Sequence, residues 1–113
     1  MHDLGPEDEK IIVLARSARA RAASAEGAAV RDETGRTYAA VDVALPSLRL
    51  SALQLAVAMA VASGATGLEA AALVSEAGTP AEADINAVRD LGPQAPLLIA
   101  GTDGALRSVL SPS

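Results

Sequence analysis

Tyr38 is the only aromatic residue in a chain of 113 residues, half of which are hydrophobic. A core must therefore be assembled from Ala, Val, Leu and Ile, with small side chains that let helices come close to a sheet and bury little area per contact. The length suits one domain with one core, residues 1–113.

The chain has no Cys and one His, His2. Disulfides, thiolate-ligated zinc, iron–sulfur clusters and thiol catalysis are excluded. A transition-metal site would need three or four ligands, and one His beside the start Met does not supply them. No metal and no cofactor is expected. A Ser–His–Asp triad also lacks its base. The formal net charge of −5 argues against general attraction to nucleic acid or anionic membrane. No basic-then-apolar leader is visible at the N-terminus, and the apolar stretch Leu55 to Ala62 is far too short to span a bilayer. The expectation is a cytoplasmic protein that meets neither nucleic acid nor membrane.

Punctuation and period give the element order. Gly5-Pro6-Glu7-Asp8-Glu9 opens a helix with Pro in its first turn and acids at the positive end of the dipole. Ile11, Leu14, Ala15, Ala18, Ala22 and Ala25 recur at helical spacing, and Gly27 is expected to end the helix. Arg16, Arg19 and Arg21 fall largely off that stripe, which reads as a solvated helix face ahead of a basic partner-binding one. Ala28 to Arg31 and Thr37 to Val43 read as strands joined at Asp32-Glu33-Thr34-Gly35, apolar on both faces and so covered on both sides. Ser47 is the expected N-cap of a helix from Leu48 to Ala62, closed by Ser63-Gly64 and apolar nearly all round. A strand comes next at Ala70 to Ser75. Thr79-Pro80-Ala81-Glu82 has the form of a capping box, predicting a third helix to about Leu91. Leu97 to Ala100 and Leu106 to Leu110 are strands joined across Thr102-Asp103-Gly104. The order αββαβαββ implies an α/β fold of three layers, α/β/α, with three helices and a five-stranded mixed sheet.

Several segments resemble the cytidine deaminase family. Gly27-Ala28-Ala29-Val30, with the turn and second strand as far as Tyr38, is similar to the family's V-G-A-A-L first strand, turn and second strand. Val41-Asp42-Val43-Ala44-Leu45-Pro46-Ser47 lies where the family has V-N-V-E-N-A-S. Ser51-Ala52-Leu53-Gln54, opening a buried helix, falls on C-A-E-R, with Ala56 to Gly64 on its A-x-x-x-G ending. Thr79-Pro80-Ala81-Glu82-Ala83-Asp84 falls on S-P-C-x-x-C. The resemblance implies a cytidine deaminase-like fold, and an activity in which zinc-bound hydroxide attacks the pyrimidine while a Glu shuttles protons. Carried across, the zinc-ligand positions are Ser51, Ala81 and Asp84, and the proton-shuttle position is Leu53. The ribose-holding Asn and Glu correspond to Asp42 and Ala44, and Ala23-Ser24-Ala25-Glu26 replaces the aromatic segment.

These replacements imply a pseudoenzyme with its zinc site lost, Leu53 and Ala81 having turned the metal pocket into core. The resemblance also implies a homo-oligomer, dimer or tetramer, built through the Leu48–Ala62 helix face, and hence a scaffold or interaction module. An alternative is a small-molecule (nucleoside-like) binding protein or divergent hydrolase using Asp42, Ser51 and Asp84 in a remnant pocket. Against it, Ser51 could simply bond the preceding turn, with both Asp residues near helix starts or solvent. Glu82 is accounted for by its capping box, and Gly64-Ala65-Thr66-Gly67 and Gly101-Thr102-Asp103-Gly104 are turns without a phosphate-loop Lys.

Overall fold

The computed structural model describes residues 4–112; His2 lies outside the described residues. Helix α1 (Pro6–Ala22) leads to strands β1 (Glu26–Asp32) and β2 (Thr37–Val41). A short hairpin, β3 (Val43–Leu45) and β4 (Leu48–Leu50), precedes helix α2 (Ala52–Ala62). Strand β5 (Leu68–Ser75), helix α3 (Glu82–Leu91), and strands β6 (Leu97–Ala100) and β7 (Leu106–Leu110) complete the order.

Five strands form one mixed sheet in the order β2-β1-β5-β6-β7. Only β5 and β6 run parallel, joined by the crossover through α3; the other neighbours are antiparallel. Strand alternation sends two sets of small side chains to opposite faces. Ala29, Ala70, Ala72, Val74, Leu98 and Ala100 pack against Ile11, Ile12 and Ala15 of α1. Ala28, Val30, Ala71, Leu73, Leu97 and Ile99 pack against Ala52, Leu53, Ala56 and Ala60 of α2 and Val88 of α3. The result is the three-layer α/β/α arrangement, with three helices and a five-stranded mixed sheet. No helix among the described residues is long and apolar enough to cross a membrane.

The differences from the sequence reading are local and have physical causes. Helix α1 ends at Ala22, where Ala23 takes a left-handed conformation at φ 53°. Ala22 and Ala25 are exposed, and Ile12 takes their place in the buried stripe. Gly27 does not end the helix: it sits within β1, where a Cβ would lie 2.9 Å from Cβ of Arg19 and would also strike the carbonyl oxygen of Ala15. A glycine there lets α1 lie close on the sheet.

Helix α2 begins at Ala52, not Leu48. Its N-cap is Ser51, whose Oγ accepts from the Gln54 N–H while the Gln54 side chain accepts from the Ser51 N–H. Ser51-x-x-Gln54 makes a reciprocal capping box that Ser47-x-x-Leu50 has no acceptor to match. Pro46-Ser47 becomes the tip of the β3–β4 hairpin instead. Helix α3 starts after Ala81, with no side-chain cap hydrogen bond. The Thr79–Glu82 box does not form; the later start puts Asp84 in the first turn, where its charge favours the dipole.

Candidate functional site

The N-termini of α2 and α3 meet at one end of the α2-facing side of the sheet, where Ser51 and Asp84 stand together and Asp42 lies nearby. Ser51 Oγ donates to Asp84 Oδ1 at 2.6 Å, joining two helix N-termini 33 residues apart in sequence. Asp84 is 5% exposed. The hydroxyl thus accepts from Gln54 and donates to Asp84, so it does not bond the preceding turn. Asp42, half-buried after β2, is not bonded to either residue. Its Oδ1 accepts from the Glu26 N–H at 3.3 Å.

Glu26 connects the set and was not singled out from sequence as a site residue. Its carboxylate accepts from the Ala52 N–H at 2.9 Å, capping the first turn of α2 from another element. Burial raises the Glu26 pKa above its ordinary 4.5; the Ala52 hydrogen bond opposes this, and the neighbouring charges of Asp84 and Asp42 add to it. Strand parity carried a usable signal. Glu26 is in step with Ala28 and Val30, both on the α2 side of the sheet.

The two remaining positions part company. Leu53 is fully buried within the α2-side core. Ala81 is exposed at the start of α3 and does not join that core. Glu82 is likewise exposed, and the capping role that would have explained it is absent.

Zinc does not fit this donor set. Ala81 offers no ligand atom, and the Ser51 hydroxyl is engaged with Asp84 and Gln54. Among the described residues no group of three His, Cys, Asp or Glu is placed to hold a metal ion. The residues at this end of the sheet therefore support no step of chemistry through a metal.

The Gly-rich segments are occupied as turns. Glu33 accepts from the Thr66 N–H, the Thr66 hydroxyl and the Gly67 N–H at 2.9–3.3 Å, so an internal carboxylate holds the donors a phosphate would need. Gly104, at φ 84°, closes the β6–β7 turn through its N–H to Gly101 O. Two surface clefts lie elsewhere. One of about 360 Å³ is lined by Leu4, Glu9, Ile12, Val13, Gly104 and Leu106. The other, of about 210 Å³, runs from Gly5 to Asp8 beside Arg31.

Comparison with known proteins agrees with the fold. The family model described as cytidine deaminase-like matches residues 4–104. The chain superposes on a cytidine deaminase from Burkholderia pseudomallei with a TM-score of 0.78 and 25% identity, covering 90% of each chain. A cytidine deaminase from Mycobacterium leprae gives a TM-score of 0.74 at 21% identity, covering 96% of this chain and 94% of that one. No curated protein matches the chain.

Proposed function

Because the chain belongs to the cytidine deaminase-like family, we propose that it is a member without deaminase chemistry that serves as a non-enzymatic, self-assembling interaction module. The observation that carries this reading is Leu53, fully buried at the position where the resemblance puts the proton-shuttling Glu. A Leu side chain neither accepts nor donates a proton, and hydrolytic deamination needs both transfers. The neighbouring ligand positions agree: Ala81 carries no donor, and Ser51 is tied to Asp84.

The surface of α2 supports self-assembly. The helix has no charged residue from Ala52 to Ala62. Its outer stripe, Leu55, Ala58, Met59 and Ala62, is half-buried or exposed, and Val61 beside it is 52% exposed. Leu45 and Leu48 on the β3–β4 hairpin add 54% and 49% exposed side chains. An uncharged helix face beside two exposed leucines is larger than scattered surface apolar residues require. The occupant we assign is a second copy of the same face, because an isologous contact between uncharged helices needs no complementary partner charge.

The test has two parts. Purified protein, with and without added zinc, is assayed for ammonia release from cytidine; release above a no-protein blank that scales with protein concentration would overturn the loss of chemistry. Native mass spectrometry then reads the assembly. Multiples of the chain mass that collapse to monomer in Met59→Lys are expected; a parent protein that is monomeric at micromolar concentration would refute the self-assembly.

A further inference from the structure

The α1 layer holds a feature that neither the deaminase-like end of the sheet nor self-assembly uses. The larger of the two surface clefts, about 360 Å³, opens between the first half of α1 and the turn that joins β6 to β7. That volume falls at the lower end of the range of small-molecule sites, about 300–1,000 Å³. Ile12, Leu4 and Leu106, which line it, belong with the α1-side core, so the cleft lies on the opposite side of the sheet from α2. A molecule bound there leaves the self-assembly face free.

One stripe of α1 forms the long wall. Glu9, Ile12, Val13 and Arg16 stand at i, i+3, i+4 and i+7, the spacing that brings side chains to a single helix face. Val13 is 58% exposed, more than any other large hydrophobic side chain among the described residues. The half-buried Leu4 and Leu106 complete an apolar lining. Arg16 lies against the β6–β7 turn, where a Cβ at Gly104 would come within 3.2 Å of its Cδ. That contact holds the arginine's stem beside the cleft and leaves its charged head in water. The ion pairs among the described residues engage Arg19 and Arg31, and neither Glu9 nor Arg16 takes part in one. Their Cα atoms are about 10.5 Å apart, from the helical rise per residue. An acid, an apolar wall and a base thus follow one another along the cleft.

We propose that this cleft binds a small linear zwitterion, an apolar chain with an ammonium group at one end and a carboxylate at the other. The ammonium pairs with the Glu9 carboxylate, the chain lies on Ile12, Val13, Leu4 and Leu106, and the carboxylate pairs with the Arg16 guanidinium. The order of charges along the wall favours a molecule that carries both. A fatty acid or an alkylamine would satisfy one end only and lay an uncharged chain terminus against the other charge, which works against binding. The inference goes beyond self-assembly and holds equally for a monomer.

The test is an amide NMR titration of the full chain with ω-aminooctanoate at constant ionic strength, set beside octanoate and octylammonium chloride. Saturable shifts are expected at the amides of Glu9, Val13, Gly104 and Leu106. Octanoate and octylammonium should each bind about twofold to fivefold more weakly, the effect of one surface ion pair. Glu9→Gln should bring ω-aminooctanoate down to the affinity of octanoate without weakening octanoate itself, and Arg16→Gln should do the same against octylammonium. Both side chains are exposed, so both variants should fold as the parent does. Absence of saturable shifts, equal affinity for the three compounds, or shifts centred on α2 would each overturn the proposal. So would shifts at the same amides on concentrating the protein alone, which would make a second copy the occupant.

Discussion

Leu53→Glu restores a carboxyl at the position where the resemblance calls for one, and its consequences can be worked out from the burial of that position. Leu53 has no exposed surface and packs among Ala28, Val30, Ala56 and Leu73 on the α2 side of the sheet. Replacing it removes about 1.5–3 kcal/mol of apolar burial. Leaving a neutral carboxyl there without a partner costs about 1–3 kcal/mol more. Ionising it costs more still, because burial raises a carboxyl pKa. That fixes the sign of the pH dependence. With its folded pKa raised, the variant binds more protons folded than unfolded, so stability falls as pH rises above about 4.3. Each further pH unit removes about 1.4 kcal/mol until the folded pKa is reached. Against a total stability of about 5–15 kcal/mol, the variant should be marginal at pH 7 and firmer near pH 4.

Urea unfolding monitored by circular dichroism at both pH values is the assay. With a slope of about 2 kcal/mol per molar urea, the middle of the usual range, the midpoint near pH 4 should drop by about 1–3 M. At pH 7 it should drop further. Leu53→Met, which conserves volume, should cost less than about 1.5 kcal/mol at either pH. Ammonia release from cytidine should stay at background in Leu53→Glu even with zinc added, since Ala81 still offers no ligand. A midpoint that does not move, or a loss independent of pH, would show that the residue-53 side chain reaches water and would refute the reasoning.

Glu26→Gln keeps an acceptor for the Ala52 N–H while removing a charge that burial and two nearby carboxylates disfavour. The variant should be more stable than the parent above the ordinary pKa of 4.5, with the difference vanishing below it; a variant less stable at pH 7 in urea unfolding would contradict this. Asp32 behaves in the opposite sense. Its carboxylate accepts from the Thr34 hydroxyl, the Tyr38 hydroxyl and the Thr34 and Arg36 N–H groups, which hold its pKa down to about 2. Stability from this turn should be lost as pH falls from 3.8 through about 2, and acid titration of Asp32→Asn should lack that limb. Gly27→Ala should lower the urea midpoint by an overpacking cost of about 1–3 kcal/mol or more, since the new methyl meets backbone of α1; an unchanged midpoint would mean that α1 shifts freely on the sheet.

The long elements were legible because each carries enough residues to reveal a period or an uninterrupted apolar run. The apolar Ala28–Val30 of β1 and the apolar run Ala70–Val74 of β5 are examples. The β3–β4 hairpin was not legible, because three residues on each strand leave no period to read and their leucines merge with the apolar run of α2. The capping chemistry did discriminate, once acceptors are required at both ends. Ser51 with Gln54 satisfies that requirement, Ser47 with Leu50 does not, and the helix starts where the chemistry is complete. The Thr79–Glu82 box shows the opposite outcome. Its residue types are right, yet a tertiary contact from Ser51 to Asp84 coincides with a later helix start.

The site was legible only as far as positions go. That Ser51 and Asp84 are neighbours depends on two helix N-termini being brought together over the sheet, which resemblance could imply and spacing could not. Glu26 joins the site through a hydrogen bond from β1 to the first turn of α2, and no local pattern encodes that contact between residues 26 apart in sequence. Glu26 also bears on the proposal that this end of the sheet carries no metal. Had the pocket simply been converted to core, apolar replacements would suffice throughout, as at Leu53. Instead Glu26, Asp42, Ser51 and Asp84 stay polar around the two helix N-termini, where a buried polar group works against folding unless partnered, and each has its partner: the Ala52 N–H for Glu26, the Glu26 N–H for Asp42, and one another for Ser51 and Asp84. Those hydrogen bonds tie α2 to β1 and to α3, so the polar groups at this end hold elements together, an offset that an apolar replacement could not supply.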